Sequence, residues 1–229
     1  ANWLVDSLDD DGCWRRFPTP FAAAGEKAYE THVAWGLFEA EKVFPNQGYR
    51  EAGLRQVRWA LTKQLDNGWI GSCCLTQPDS PLTHTLGYAL RGLIEAYDSS
   101  KEQDILDAAL LSAGGLLTAL QPNGSIAGRL SRDWSSAADW ACLTGIVQIA
   151  HSWLLLYKIT GDKALLDAGL LANSFVRRTI DDSGDPNVRG GVKGSFPVNG
   201  DYGTYEYLNW AIKFCIDSNL CEIEILANG

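Results

Sequence analysis

The sequence predicts an all-α protein built from repeated pairs of helices, and three observations support this. Gly12, Gly68 and Gly124 are separated by 56 and 56 residues, and each opens a loop after a helical stretch. Residues 36–40 (GLFEA) return 56 residues later as residues 92–96 (GLIEA). Helical stretches that are apolar all round, as buried helices are, alternate with stretches that carry a polar side. Two blocks with one offset indicate an internal repeat.

The individual helices follow in order from this periodicity. The stretches expected to form buried inner helices are 27–44, 82–98, 137–159 and 203–218. The stretches expected to form amphipathic outer helices are 49–65, 103–120 and 163–180. Gly161 and Asp162 separate two of them as a C-terminal glycine followed by an N-cap. No stretch alternates polar and apolar residues convincingly, so no strand is expected.

This alternation of inner and outer helices predicts an α/α toroid, a partial toroid of about four helix pairs, or an α-solenoid. The long loops after the glycines are where binding and catalytic residues usually lie. We take residues 1–229 as a single domain of this kind. A complete toroid of six 56-residue pairs needs more than the 229 residues present. We therefore expect a fragment of a larger chain, or an open arc that self-associates.

Composition narrows the possible partners. The chain has 19 basic and 28 acidic side chains, for a net charge of −9 and no basic stripe. This balance argues against nucleic acid and anionic membranes as partners. No apolar run is long enough for a membrane span. The six cysteines suggest no disulfide framework, so we expect mostly reduced thiols and a cytoplasmic location.

One family resemblance lies in the glycine turns. Gln64-Leu65-Asp66-Asn67-Gly68-Trp69 is similar to the Gln-x-x-x-Gly-x-Trp signature of the α/α-toroid superfamily that includes terpenoid cyclases and protein prenyltransferases. Residues 8–14 keep the spacing with Leu in place of Gln, and residues 121–126 lack the Trp. The resemblance implies the toroid fold, and it implies an isoprenoid ligand as one alternative.

A second resemblance points to sugars. Residues 160–168 (TGDKALLDA) look like the Thr-Gly-Asp entry to outer helices in carbohydrate-processing toroids. The chain also carries nine tryptophans, and exposed Trp rings often stack on sugars, although core packing is the alternative. This resemblance implies a small-molecule or oligosaccharide ligand in a central cavity, and hydrolase, lyase or epimerase chemistry.

The candidate catalytic residues lie at the starts of the inner helices. His84 and Tyr88 are four residues apart and share a helix face, with Arg91 close to the same face. These side chains suit acid–base catalysis and an anion clamp. His32 precedes Tyr88 by one repeat of 56 residues and occupies the equivalent position. The alternative for both histidines is a hydrogen-bonded residue of the helix core.

Further candidates lie in the loops. Asp139 is either a general base or the N-cap of the third inner helix. The residues expected to contact a substrate through aromatic rings are Trp14, Trp69, Trp134, Trp140, Tyr205 and Tyr207. The stretch 201–210, which is dense in aromatic and acidic residues, is a candidate sugar-binding wall. The alternative for these rings is packing in the core.

A metal site and three functions remain open. Asp139 and Cys142 are three residues apart, and His84 could complete a zinc site, but no further ligand spacing supports one. We therefore expect no cofactor, with zinc as the alternative. Glycan processing or glycan binding is the preferred function. The alternatives are an isoprenoid enzyme and a helical scaffold that binds a protein through an exposed apolar face.

Overall fold

A computed structural model describes residues 1–20 and 22–228 and is mainly helical. Within these residues the helices are α1 (Asn2–Ser7), α2 (Thr31–Val43), α3 (Tyr49–Leu61), α4 (Thr83–Ser100), α5 (Gln103–Ala119), α6 (Leu143–Thr160), α7 (Lys163–Arg177) and α8 (Asn209–Asn228). A short 3-10 helix, Ala28–Glu30, leads into α2. Two short strands, β1 (Ala141–Cys142) and β2 (Ser195–Phe196), pair antiparallel.

Helices α4, α5 and α7 confirm the predicted bounds to within three residues, whereas α2 begins four residues later and α3 ends four residues earlier than predicted. The other two inner helices each begin six residues later than the sequence predicts. The stretch expected from residue 137 becomes helical only at Leu143, because the residues just before it form β1. The helix expected over 203–218 runs from Asn209 to Asn228. The pairing of β1 with β2 also corrects the expectation that no strand forms.

The three repeat glycines occupy identical turns. The amide of Gly12 donates to the Asp9 carbonyl over 2.9 Å, and Gly68 and Gly124 make the same bond to the residue three before them over 2.8 Å. Their φ angles are +97°, +84° and +90°, which only glycine adopts without strain. A Cβ at each would overlap a carbonyl of an outer helix, at Arg55 in α3, Leu111 in α5 and Leu171 in α7 respectively. The repeat predicted from sequence is therefore repeated in structure.

The first of two compact units comprises Ala1–Pro81 and Tyr88–Gly115. Here α2 packs on α3, and Gly53 leaves room for the Phe38 ring. The Thr31 hydroxyl donates to the Ala89 carbonyl over 3.1 Å and joins α2 to α4. The Gln64 side chain donates to Ser112 Oγ over 2.9 Å, and that hydroxyl donates to the Gly68 carbonyl over 2.6 Å. These bonds fix the second glycine turn on α5.

The second compact unit comprises Leu82–Gly87 and Leu116–Gly229. Helix α6 is buried along most of its length and packs on both α7 and α8. It ends at Gly161 (φ +74°), and Asp162 caps α7 by accepting from the Ala164 amide over 2.9 Å, which confirms both predicted caps. Buried Asn173 of α7 donates to Glu222 of α8 over 2.8 Å.

Two further findings bear on the sequence expectations. In the part of the chain that the structure describes, no helix combines the length and apolarity needed to cross a membrane. Among these same residues no disulfide joins the six cysteines, and five of the six side chains are buried.

Candidate functional site

Short backbone pairings bring the loops of the second unit to the starts of α4 and α6. Leu82 pairs with Arg129, and Ala127 pairs with Ala141 of β1, which itself pairs with β2. The amide of Thr83 donates to the Gly128 carbonyl over 3.0 Å. These pairings gather segments from three parts of the sequence into one surface. We call this surface, formed by residues 82–84, 127–142 and 193–210, the rim.

His84 is buried in the first turn of α4 and contacts α6. Its Nδ1 lies 2.8 Å from Oε1 of Gln148, a bond in which Nδ1 carries the proton because the amide oxygen can only accept. Burial lowers the pKa of His84 to about 4, and the bond to Gln148 only partly opposes this. The imidazole is therefore neutral at neutral pH and acts as a hydrogen-bonding group.

An aromatic pair lies next to His84. The Tyr202 ring centroid is 5.3 Å from the His84 ring, and the Trp210 indole donates to the Tyr202 hydroxyl over 2.9 Å. The Ser195 hydroxyl donates to the Tyr202 carbonyl over 2.8 Å and so ties this segment to β2. The Trp210 side chain is 43% exposed. The rim therefore presents a fixed indole surface to solvent.

Asp201, the residue before Tyr202, forms an ion pair with Arg129. Arg129 Nη2 lies 3.5 Å from Asp201 Oδ2, and the Asp201 side chain is 71% exposed. Trp140 lies over Gly128 and beside Gly200, where a Cβ at either glycine would overlap it. Because Arg129 follows Gly128 and Asp201 follows Gly200, the half-buried Trp140 side chain borders the residues that carry this ion pair.

Asp139 lies at the edge of the rim and is not a helix cap. Cys142 is the N-cap of α6, and its Sγ accepts from the Gly145 amide over 3.4 Å. The N-cap interpretation of Asp139 is therefore wrong. Its exposed carboxylate has no hydrogen bond or ion pair among the described residues, and it lines a cleft together with Trp140.

The other predicted catalytic residues form a packed group in the first unit. His32 stacks on Tyr88 with ring centroids 4.1 Å apart, and it meets the edge of Trp35 at 5.4 Å. The Arg91 guanidinium lies 4.4 Å from the centre of the Trp35 ring and forms a 2.7 Å ion pair with Glu95. Burial raises the pKa of Tyr88. His84 belongs to the second unit, so the predicted stripe on α4 divides between the two units.

Glu30, just before α2 in the first unit, was not predicted as a site residue. Burial raises the pKa of Glu30 to about 7, and the charge of Lys27 opposes this rise. In the described residues its buried Oε2 has no hydrogen-bond partner. An acidic residue just before a helix is usually exposed and interacts favourably with the helix dipole. The sequence therefore carried no sign that the Glu30 carboxyl is buried.

The aromatic residues predicted to contact a substrate fall into two groups. Trp14, Trp69 and Trp134 are buried in the core, and the Trp14 indole donates to the Leu4 carbonyl over 2.8 Å. Tyr205 and Tyr207 lie on the rim, where Tyr205 is 73% exposed and Lys193 approaches the Tyr207 ring to 5.5 Å. Only the tyrosines and Trp140 therefore lie on accessible surface.

The zinc alternative depends on Asp139, Cys142 and His84 converging. Cys142 is fully buried, and desolvation raises the pKa of its thiol to about 12. In residues 1–20 and 22–228, no three His, Cys, Asp or Glu side chains come close enough together to hold a metal ion.

The comparisons with known proteins bear mainly on the fold. The chain is similar to the unsaturated glucuronyl hydrolase of Bacillus sp. GL1, responsible for the degradation of glycosaminoglycan, with 13% identity, a TM-score of 0.76, and coverage of 96% of this chain and 65% of that one. An unsaturated glucuronyl hydrolase specific for heparin gives 12% identity, a TM-score of 0.77, and coverage of 97% and 66%. An α-1,6-mannanase of Salegentibacter sp. HEL1_6, in complex with α-1,6-mannotetrose, gives 15% identity, a TM-score of 0.58, and coverage of 86% and 63%.

These similarities confirm the predicted α/α-toroid fold class. The chain covers less than two thirds of each of these structures. A curated relative, the large ribosomal subunit protein uL15 of Sulfolobus acidocaldarius, is 32% identical over 75 residues, which cover 33% of this chain and 50% of that protein. No protein-family model matches the chain.

Proposed function

We propose that this protein binds an oligosaccharide on the rim of the second unit and cleaves a glycosidic bond there. The observation that carries the proposal is the exposed Trp210 indole, which donates to the hydroxyl of Tyr202, the residue that follows Asp201 of the Arg129–Asp201 ion pair. An exposed aromatic face next to charged hydrogen-bonding groups suits a sugar ring, which has apolar C–H faces and a hydroxyl edge.

The residues of the rim divide the chemistry between them. Trp210 provides the stacking surface, Asp201 binds hydroxyl groups, and Arg129, whose side chain is 11% exposed, holds Asp201 in an ion pair. Asp201 is the accessible carboxylate in this group and takes the acid–base role. His84 orients Tyr202 and its neighbours as a neutral imidazole, because its low pKa makes it a poor proton donor at neutral pH.

The fold supports a sugar ligand over the alternatives. The similar structures include glucuronyl hydrolases and a mannanase with a bound mannotetrose. The rim also carries the exposed Asp201 carboxylate, and an isoprenoid chain has no hydroxyl group to donate to it. His32 and Tyr88 are left out of this proposal, because their rings stack on each other within the first unit.

A binding and turnover experiment tests this proposal. The purified chain is titrated with neutral and uronic-acid trisaccharides in a calorimeter, and the same sugars are incubated with it overnight for chromatography of the products. We expect binding by at least one sugar and the release of shorter sugars. Farnesyl diphosphate serves as the isoprenoid probe, and binding of this probe without any sugar would contradict the proposal.

Two variants with matched controls locate the activity. Trp210→Ala should weaken sugar binding by about tenfold, the loss expected for one stacked ring. Phe44→Ala removes an aromatic ring that is 63% exposed in the first unit and should leave binding unchanged. Asp201→Asn should abolish cleavage and retain binding, whereas Asp167→Asn, on the exposed side of α7, should retain both. Cleavage unchanged in Asp201→Asn would remove Asp201 from the mechanism.

A further inference from the structure

The cleft beside Asp139 is a concave surface of the second unit that overlaps the rim, since Asp139, Trp140 and Phe196 line it. Its volume is about 290 Å³, at the small end of the range for ligand sites. Three aromatic side chains, Trp140, Phe175 and Phe196, form its apolar part. Phe175 and Phe196 meet edge to face with ring centroids 5.9 Å apart, and Phe196 is 44% exposed. The cleft therefore has an aromatic wall that a ligand can reach.

The polar part of the cleft offers unused hydrogen-bonding groups. Among the described residues, the Asp139 carboxylate and the Ser136 hydroxyl have no partner, and both line the cleft. Asn123 accepts from Ser125 through Oδ1 over 2.9 and 2.8 Å, which leaves its amide nitrogen available to donate. A carboxylate acceptor, an amide donor and a hydroxyl together complement neighbouring hydroxyl groups on one ligand.

The charge of the cleft selects among sugars. Asp139 is the single charged side chain among its lining residues. A carboxylate that forms no ion pair repels uronic acids and phosphates, and it accepts hydrogen bonds from neutral hydroxyls. A neutral pyranose ring suits this cleft, because its C–H faces pack on aromatic rings and its hydroxyls bond to the free polar groups and the carboxylate.

We infer that this cleft is a binding subsite for a neutral hexopyranose unit, held between the aromatic wall and the Asp139 carboxylate. The inference rests on the proposed function, since it names a second position at which the same class of ligand is bound. The cleft would select neutral sugars over acidic ones. The Trp210 site would not, because it carries an arginine as well as a carboxylate.

The test measures affinity for neutral and acidic sugars in matched variants. Cellotriose, maltotriose and α-1,6-mannotriose are the neutral probes, and trigalacturonic acid is the acidic probe, all titrated by calorimetry. Asp139→Asn and Phe196→Ser should each weaken binding of a neutral probe by about tenfold. Asp139→Asn should also strengthen binding of the acidic probe, since the repulsive charge is gone. Asp167→Asn and Phe44→Ser are the controls, and thermal unfolding confirms that each variant folds.

The outcomes separate this inference from the proposed function. Unchanged neutral-sugar binding in Asp139→Asn and Phe196→Ser, with a loss in Trp210→Ala, would overturn the subsite and leave the proposed function standing. Absence of sugar binding by the unaltered chain would overturn both. Equal weakening of neutral and acidic probes by Asp139→Asn would overturn the charge selectivity and therefore the assignment to a neutral sugar.

Discussion

Each unit of this protein contains a histidine ring in contact with a tyrosine ring, and the two pairs have different surroundings. In the first unit His32 lies 4.1 Å from Tyr88, and the stack continues through Trp35 to Arg91. In the second unit His84 lies 5.3 Å from Tyr202, and the group ends at exposed Trp210.

Residue type and position in the repeat do not by themselves define a binding site. In the first unit Arg91 is covered by Trp35 and paired with Glu95, so its charge is satisfied inside the protein. In the second unit the Trp210 indole and the Asp201 carboxylate remain accessible. The first group is therefore packed within its unit, whereas the second ends at side chains that solvent can reach.

The first prediction compares the loss of stability when Trp35 or Trp210 is replaced. Trp35→Ala removes the half-buried ring that contacts His32 and Arg91, and it should lower the free energy of unfolding by about 3 kcal/mol, the upper end of the usual range for one substitution. Trp210→Ala should lower it by less than about 0.5 kcal/mol, because surface changes are usually small. Urea denaturation of both variants measures this contrast. Equal losses of stability would contradict the distinction between the two groups.

A second prediction uses the opposite pH dependence of buried groups in the two units. The pKa of His84 is about 4, below its ordinary value of 6.5, so the unfolded chain binds its proton first. Stability should therefore fall as the pH drops from 6.5 to 4, by up to about 3 kcal/mol. The pKa of Glu30 is about 7, above its ordinary value of 4.5, so stability should fall as the pH rises from 4.5 to 7.

Chemical denaturation between pH 4 and pH 8 checks these opposite trends. His84→Gln should remove the loss at the acidic end, and Glu30→Gln should remove the loss between pH 4.5 and 7. A stability profile unchanged by His84→Gln would mean that His84 is not buried as a neutral group.

The third and smallest effect compares two ion pairs. The Arg91 and Glu95 side chains are 16% and 14% exposed, so Arg91→Met leaves a largely buried carboxylate and should lower the free energy of unfolding by about 2 kcal/mol. Arg129→Met leaves an exposed Asp201 and should cost less than about 1 kcal/mol. Thermal unfolding distinguishes the two, and a larger loss in Arg129→Met would reverse the comparison.

The sequence predicted those features that depend on local chemistry. The glycine turns were predictable because a residue with positive φ at a fixed spacing leaves glycine as the usual choice, as at Gly12 and Gly68. The α7 cap was predictable because Asp162 is a preferred capping residue. The start of α6 was not, since Cys142 caps it and cysteine is not among the preferred N-cap residues.

The candidate site depended on contacts distant in sequence. The pairing of His84 with Gln148 joins residues 64 positions apart, and no local pattern indicates it. Composition drew attention to tryptophan, but it could not distinguish buried Trp14 and Trp69 from exposed Trp210. Exposure is set by tertiary packing, which is why the sequence could name candidate rings but could not tell which of them lie on the surface.

We propose that sugar binds at Trp210 and not at the Trp35 group. NMR of the indole N–H groups tests this most directly. The nine tryptophan indoles are observed in 15N-labelled protein, and Trp210→Phe and Trp35→Phe assign two of the signals. Titration with a sugar that binds should shift the Trp210 signal and leave the Trp35 signal in place. A shift at Trp35 with Trp210 unmoved would contradict the account.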